Sequence, residues 1–595
     1  MSFFDRQGIP EALIRNRNGQ SDTQENQGNH DSDAGEDINT DEDDDDDSAD
    51  DDGSKDGDDK FDDISTLRDY SFISITGSGS SFEMHGLVQL ATRTWLEAHR
   101  QRERWKHQFI VNLSLEFPTG EYENWAICQA LFPHAKSAAT QKPEGQESLK
   151  MWAMILYRAA WYAEQVGNGA AAEEMSVAAM KARKKLLGRE HEDTLWSMSL
   201  VGDAYNLRGR WGAAESLFVQ VMETRKSKLG VDHSSTLTSM ANLASTYRNQ
   251  GRWEEAESLD VQVMETRKSK LGVDHPSTLT SMANLASTFW NQGRWEEAES
   301  LFAQVMETRK SKLGVDHPDT LTSMANLAST YRNQGRWEEA ESLEVQVMET
   351  RKSKLGVDYP DTLTGMANLA STYRNQGRWE EAESLEVQVM ETSKSKLGVD
   401  HPSTLTSMAN LASTFWNQGR WEEAESLDVQ VMETRKSKLG VDYLDTLTSM
   451  ANLASTYRNQ GRWEEAELLE VQVIETRKSK LGVDHPSTLT SMANLALTFW
   501  NQGRWEEAES LEVQVMETRK SKLGVDHPST LTSMANLAST YRNQGRWEEA
   551  ESLEVQVMET RKSKLGVDHP DTLTSMNNLA FTFKCKGDKG KAIRL

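Results

Sequence analysis

Cysteine is almost missing from this chain: Cys128 and Cys585 are the only two among 595 residues. They cannot form a disulfide framework, and neither has the paired spacing of a zinc site. No apolar run approaches the roughly 18 residues of a membrane span. The opening MSFFDRQGIPEALIR lacks the basic start and apolar core of a signal peptide, so a cytoplasmic location is expected. Basic charge is also in deficit, with 66 Lys and Arg against 94 Asp and Glu and a net charge of −28. Such a chain repels phosphate backbones, which argues against nucleic acid as a partner. Residues 20–63 alone hold 21 acidic residues against two Lys, with five consecutive Asp at 43–47. That stretch cannot bury a core and reads as a disordered acidic insertion.

What the chain has in abundance is repetition. The block NQGRWEEAESL returns with its glycine at Gly209, Gly251, Gly293, Gly335, Gly377, Gly419, Gly461, Gly503 and Gly545, always 42 residues apart. Degenerate copies at Gly167 and Gly587 extend the series, so residues 150–595 hold about ten to eleven units. A period near 42 also suits propeller blades, and the internal phase decides between them. Leu279, Met282, Ala283, Leu285, Ala286 and Phe289 recur at steps of three and four, and so do Trp295, Ala298, Leu301, Val305 and Met306. Both stripes are helical. Pro276 suits a first helical turn, Gly293 a helix end, and Glu296, Glu297, Arg309, Lys310 and Lys312 complement the dipole at the two ends of the second helix. The expected fold is all-α, a right-handed α-solenoid of about 10–11 helix pairs.

These residues carry a resemblance. Asn284-Leu285-Ala286, the aromatic Phe289, Gly293, Trp295 and Ala298 resemble the tetratricopeptide signature, and the longer unit with its His-Pro-x-Thr linker is similar to the kinesin light chain variety. The resemblance spans about three quarters of the chain. It implies a concave groove lined by the first helices that binds protein segments. Asp260, Glu344 and Glu386 depart from it, occupying a place that is usually bulky and apolar.

Ahead of the array, residues 1–18 read as a helix interrupted by Gly-Ile-Pro, and order resumes at Ile64. Residues 1–92, apart from the acidic insertion, resemble the winged-helix end of NB-ARC nucleotide-switch proteins. Glu83-Met84-His85-Gly86-Leu87-Val88 resembles their Met-His-Asp motif, with Gly86 in place of the aspartate. The resemblance gives His85 a nucleotide-sensing role if an NB-ARC core is present. Such a core needs a Gly-Lys-Ser/Thr phosphate loop, which would have to lie upstream of Met1 or have been lost. Residues 93–149 read as a helical connector.

Most candidate sites dissolve on inspection. The linker histidines (His233, His275, His317, His401, His485, His527 and His569, with Tyr359 and Tyr443 in register) are expected to pack rather than bind metal, because neighbouring repeats lie about 10 Å apart. The repeat tryptophans, Trp211 to Trp547, are expected on the core stripe. Asp52, Ser54, Asp56, Gly57 and Asp63 imitate a calcium loop but lack flanking helices. One row stands out at the end of each first helix: Arg248, Trp290, Arg332, Arg374, Trp416, Arg458, Trp500 and Arg542. Arg and Trp exchange there between nearly identical repeats, so the core does not dictate the choice, and these residue types dominate recognition surfaces. With Asn242, Asn284, Asn326 and Asn249 they form the candidate peptide-binding groove. No lone nucleophile and base converge, so no enzyme and no cofactor are expected.

The expected function is a protein–protein interaction scaffold or adaptor, the recognition arm of a cytoplasmic sensor, taking segments that mix acidic and apolar residues. The alternative is part of an NB-ARC-type nucleotide-dependent signalling switch. A cargo adaptor for a motor rests on the kinesin light chain resemblance alone.

Overall fold

The computed structural model describes residues 1–14, 64, 66–75 and 81–594. The acidic tract 20–63, with its calcium-like loop, lies outside the described residues. The chain divides into two compact units, Met1–Leu200 and Val201–Leu595.

In the first unit, strands β1 (Ile9–Pro10), β2 (Ile73–Ile75) and β3 (Ser81–Met84) form an antiparallel sheet in the order β1-β3-β2. Ile9 pairs with Phe82, and Ile73 with Met84. Residues 1–14 are therefore not helical as their sequence suggested. Ile9 finds a sheet partner, and a single 3-10 turn, Glu11–Leu13, follows Pro10. Buried His134 fastens this segment, accepting from the Asp5 N–H (3.1 Å) while its other ring nitrogen meets the Gly8 carbonyl (3.2 Å). Helices Arg102–Glu116 and Trp125–Ala139 and the degenerate pair Gln146–Gln165 and Gly169–Leu187 close over one core. Phe3, Phe4, Leu13, Phe109, Leu113, Phe117, Trp152 and Ile155 meet in it. The first degenerate pair turns Trp152, Ile155, Leu156 and Ala159 into this core and so belongs to the same compact unit.

The second unit is the array. First helices such as Pro276–Asn291 and second helices such as Trp295–Leu313 alternate at the 42-residue period. The linker histidine is the N-cap of most first helices, with Tyr359 and Tyr443 in its place on two of them. His275 Nδ1 accepts from the Ser277 N–H at 3.2 Å, and proline takes the next position, where no donor is needed. Gly293, at φ +72°, makes the hairpin turn, with the Arg294 N–H reaching back to the Phe289 carbonyl. Leu285, Ala286, Ala298 and Val305 are fully or almost fully buried. At the far end of the second helix a buried arginine anchors the next first helix. Arg309 Nη1 donates to the Asp319 carbonyl (3.2 Å) and to Ser323 Oγ (3.0 Å). The anchor is thinner in mid-array, where Gly365 replaces the serine and Ser393 replaces the arginine.

The array also meets itself. The Tyr443 hydroxyl donates to the Leu207 carbonyl at 2.8 Å, and His485 Nε2 lies 3.0 Å from the Asn249 carbonyl, both 236 residues apart. The superhelix thus returns after between five and six repeats, and the linkers at Leu444, Pro486, Pro528 and Pro570 stack on hairpin turns one winding earlier. The tryptophan expected in the core instead faces this joint. Trp211 stacks on His485 with ring centroids 4.9 Å apart, and Trp253 on His527 at 5.7 Å. Where no winding lies opposite, Trp379, Trp421 and Trp505 are 39–40% exposed. The core stripe closes with alanine instead, because the hairpin turn carries the tryptophan out to the edge.

The joint makes a prediction that local geometry alone does not. Gly293 and Gly461 both have positive φ, but a methyl on Gly293 would stand 2.6 Å from Pro528 Cδ, and one on Gly461 would meet nothing. Gly461→Ala should cost roughly 1–2 kcal/mol from backbone strain. Gly293→Ala should cost about 1–3 kcal/mol more from overpacking. Urea unfolding midpoints for the two variants measure the difference.

Candidate protein-binding surface of the array

The frame that holds the row is a brace repeated at every hairpin turn. Arg252 Nη1 donates to Glu215 of the preceding repeat (2.8 Å), Gln250 donates to the same carboxylate (2.9 Å), and Arg252 Nε donates to Glu255 (2.8 Å). Its guanidinium lies 4.1 Å over the Tyr247 ring. Arg294, Arg336, Arg378, Arg420, Arg462, Arg504 and Arg546 repeat the arrangement. A planar cation between two carboxylates and an aromatic face fixes orientation as well as charge.

On that frame the alternating row does not stand in open solvent. Arg248, Arg332, Arg374, Arg458 and Arg542 are only 11–19% exposed, and each pairs at 2.8–3.0 Å with Asp260, Glu344, Glu386, Glu470 and Glu554 in turn. These carboxylates, in the place usually given to an apolar side chain, are 1–4% exposed. A threonine of the next repeat completes the unit: Thr288 donates to Asp260 at 2.7 Å and Thr372 to Glu344 at 2.6 Å. The row therefore ties three helices together and leaves only a small part of each arginine side chain exposed.

The tryptophan repeats are built differently. Trp290 packs with Phe302, which takes the carboxylate's place. Trp416 packs beside Leu411, Phe415 and Leu427, and Trp500 beside Leu495 and Phe499. Their repeats still carry Asp428 and Glu512 without an arginine from the row. Burial pushes the Asp428 carboxyl up to about 6 and the Glu512 carboxyl up to about 7.

The remaining candidates fall in different places. Asn242, Asn284 and Asn326 are half-buried on the first helices, their carbonyls accepting from Thr246, Thr288 and Thr330. Asn249 ends its helix and belongs to the turn-to-turn joint, through its carbonyl on His485. His85 is exposed and caps the helix Gly86–Ala98, accepting from the Leu87 N–H at 3.2 Å. The brace, the buried arginine anchor and the joint were missed from the sequence. The Arg–acid pairing had a visible signal, an acidic residue 12 positions after each arginine of the row and Phe302 twelve after Trp290. Among the described residues no His, Cys, Asp and Glu group is placed to hold a metal, and no helix is long and apolar enough to cross a membrane.

A tetratricopeptide repeat family model matches residues 152–227, 234–311, 284–353, 358–437 and 404–479, over half of the chain, and a second matches 488–529 and 530–571. The chain belongs to the tetratricopeptide repeat family. A nucleotide-binding leucine-rich repeat (NLR)-like protein of Hyaloscypha variabilis is 42% identical over 143 residues. That stretch is 24% of this chain and only 14% of the relative's length. Among solved structures, a putative kinesin light chain of Podosopora anserina with nearly identical TPR-like repeats is 33% identical, covering 34% of this chain and 97% of that one at a TM-score of 0.31. A Rap protein complexed with competence and sporulation factor is 10% identical, covering 63% and 99% at a TM-score of 0.43.

In this tetratricopeptide array, Glu512 gives a pH-dependent test. Its folded pKa lies above the ordinary 4.5, so its destabilising effect is full above about pH 7 and vanishes below about pH 4.5. Glu512→Phe recreates the Trp290–Phe302 pair beside Trp500. It should stabilise the array at pH 8 by on the order of 3 kcal/mol and much less at pH 5. Thermal unfolding of both chains at the two pH values checks the sign.

Proposed function

We propose that the array is a protein-interaction scaffold whose row of Arg248, Trp290, Arg332, Arg374, Trp416, Arg458, Trp500 and Arg542, with Asn242, Asn284 and Asn326 beside it, contacts bound segments in the concave groove. Tetratricopeptide repeats are generally protein-interaction modules. The observation that carries the groove reading is the exchange itself. Pro276–Asn291 with Trp290 and Pro318–Asn333 with Arg332 are helices of identical length and bounds. Side-chain chemistry thus changes along the row while the frame does not. Because the guanidinium charges are balanced by buried carboxylates, binding depends on indole area and on forked donors meeting carbonyl or carboxylate oxygens. The ligand class is an extended or helical segment mixing acidic and apolar residues, and affinity accumulates over several repeats.

Trp416→Arg with Trp500→Arg tests this without breaking the fold, because arginine is native to the row and would face Asp428 and Glu512. The double variant should be at least as stable as the parent. In selections from a displayed library of random 12-residue segments, the parent should enrich acidic and apolar sequences and the variant should lose the apolar preference. Equal selections by both chains would remove the row from recognition.

A second reading has its own support. The similarity to an NLR-like protein, together with Met84-His85 at the junction of β3 and the helix Gly86–Ala98, favours a place for this chain as the recognition arm of a cytoplasmic nucleotide-dependent switch. Because this chain carries no phosphate loop, titration calorimetry with ATP and magnesium should show no binding to the 595-residue chain. Micromolar binding would place nucleotide recognition within it.

A further inference from the structure

Four joints between successive windings form within the array: Leu444 seats on Gly209, Pro486 on Gly251, Pro528 on Gly293, and His569 with Pro570 on Gly335. A histidine caps the incoming first helix at three of them, and Tyr443 stands in that place at the other. His485 spends both ring nitrogens. Its Nδ1 accepts from the Ser487 N–H at 3.1 Å, so the ring proton sits on Nε2, which donates to the Asn249 carbonyl of the earlier winding at 3.0 Å. His527 Nδ1 and His569 Nδ1 likewise accept from the Ser529 and Asp571 N–H groups, both at 3.1 Å. His485 and His527 are buried and stacked on Trp211 and Trp253, and His569 is half-buried against the Gly335 turn.

A second proton does not suit a ring held in this way. On Nδ1 it would oppose the N–H at a helix N-terminus and place a charge inside a contact with indole and proline. Burial accordingly lowers the pKa of His485, His527 and His569. Arg477 and Arg519, from the preceding second helices, push the first two the same way, and at His569 Arg561 opposes Asp571. On the facing turns Glu255, Glu297 and Glu339 are held by Arg252, Arg294 and Arg336. Glu254, Glu296 and Glu338 beside them are exposed to water, and Lys522 and Lys564 enter the same cleft from the linkers. Tyr443 makes the joint without a titrating group. Its hydroxyl donates to the Leu207 carbonyl at 2.8 Å, and burial pushes its pKa up to about 12.

We propose that the joints are an acid-sensitive clasp: neutral linker histidines hold successive windings together, and proton uptake releases them, so that the superhelix lengthens with its helices intact. A released ring in water takes up its proton near the ordinary value of about 6.5. The open form therefore binds more protons than the closed one. Falling pH favours it from about 6.5 downward, by up to about tenfold per pH unit for each histidine. Two other effects of acid have the opposite sign. Burial raises the pKa of the Asp428 carboxyl to about 6 and of the Glu512 carboxyl to about 7, so protonation there tightens the repeats. The net charge of −28 also shrinks, which weakens repulsion along the chain. Expansion in acid thus singles out the joints.

Small-angle X-ray scattering of the full 595-residue chain at pH 8 and pH 5.5 reads the radius of gyration, and far-UV circular dichroism reads the helices. The parent should expand reversibly at pH 5.5 with unchanged dichroism. The triple variant His485→Tyr, His527→Tyr and His569→Tyr, which repeats the Tyr443 joint, should keep its pH 8 radius. His233→Tyr changes an exposed capping histidine instead, and this variant should expand as the parent does. If tyrosine already holds the windings apart at pH 8, the same three positions changed to Gln supply the non-titrating joint. A parent radius that does not change, or expansion accompanied by loss of helix, would overturn the proposal. So would a non-titrating triple variant, compact at pH 8, that expands in acid as the parent does. A His233→Tyr chain that fails to expand would assign the response to helix capping and overturn it as well.

Discussion

Everything in the array depends on the angle between one repeat and the next, and a charge-assisted brace at each boundary holds that angle together with the Arg–acid–Thr tie and the buried arginine anchor. Arg252 and Gln250 hold Glu215 across the boundary between repeats, while Glu255 and the Tyr247 ring hold the guanidinium from its other sides. Individual surface ion pairs contribute little, about 0–1 kcal/mol. A bidentate, aromatic-backed brace repeated eight times contributes regularity instead. Each repeat inherits the same small rotation, and after 236 residues the accumulated rotation brings His485 onto Asn249. The joint, the exposed faces and the spacing of the Arg/Trp row all follow from that step.

The helix pairs could be read from the sequence because they rest on local rules. Apolar residues at three- and four-residue steps, proline at the first helical position and glycine at the turn are properties of adjacent residues, and Pro276–Asn291 and Trp295–Leu313 fall where those rules put them. The tryptophan was misplaced for the same reason. Helical phase puts Trp295 in line with Ala298, but its surroundings depend on a linker more than 200 residues away. The row of arginines was found as a row, yet its burial was not. Arg458 reads as a solvated cation until Glu470, on the next helix, is seen to face it. The linker histidine could be recognised as a packing residue but not as a cap, because that role depends on which ring nitrogen turns toward the Ser277 N–H.

Near-identity of the repeats makes the exceptions informative. Arg309, Arg435, Arg477, Arg519 and Arg561 each bridge to the next first helix through a carbonyl and a serine. Between Arg351 and the helix Pro402–Asn417 this bridge is weakened twice, by Gly365 and by Ser393, and at Tyr359 the side-chain cap that the histidines supply is missing. Local opening in a repeat array begins where neighbours hold each other least, and among the second-helix anchors the two weakened ones lie in the middle of the chain.

The turn-to-turn joint changes the kind of object this array is. A solenoid shorter than one winding behaves as a line, in which each unit feels only the unit before and after it, and its ends fray independently of its middle. Once the chain exceeds one winding, units far apart in sequence become neighbours, and the line acquires a second direction of contact. With four joints, this chain has just crossed that threshold. Removing a single 42-residue unit would take away a joint as well as a link, so length enters its cohesion as a step rather than a slope.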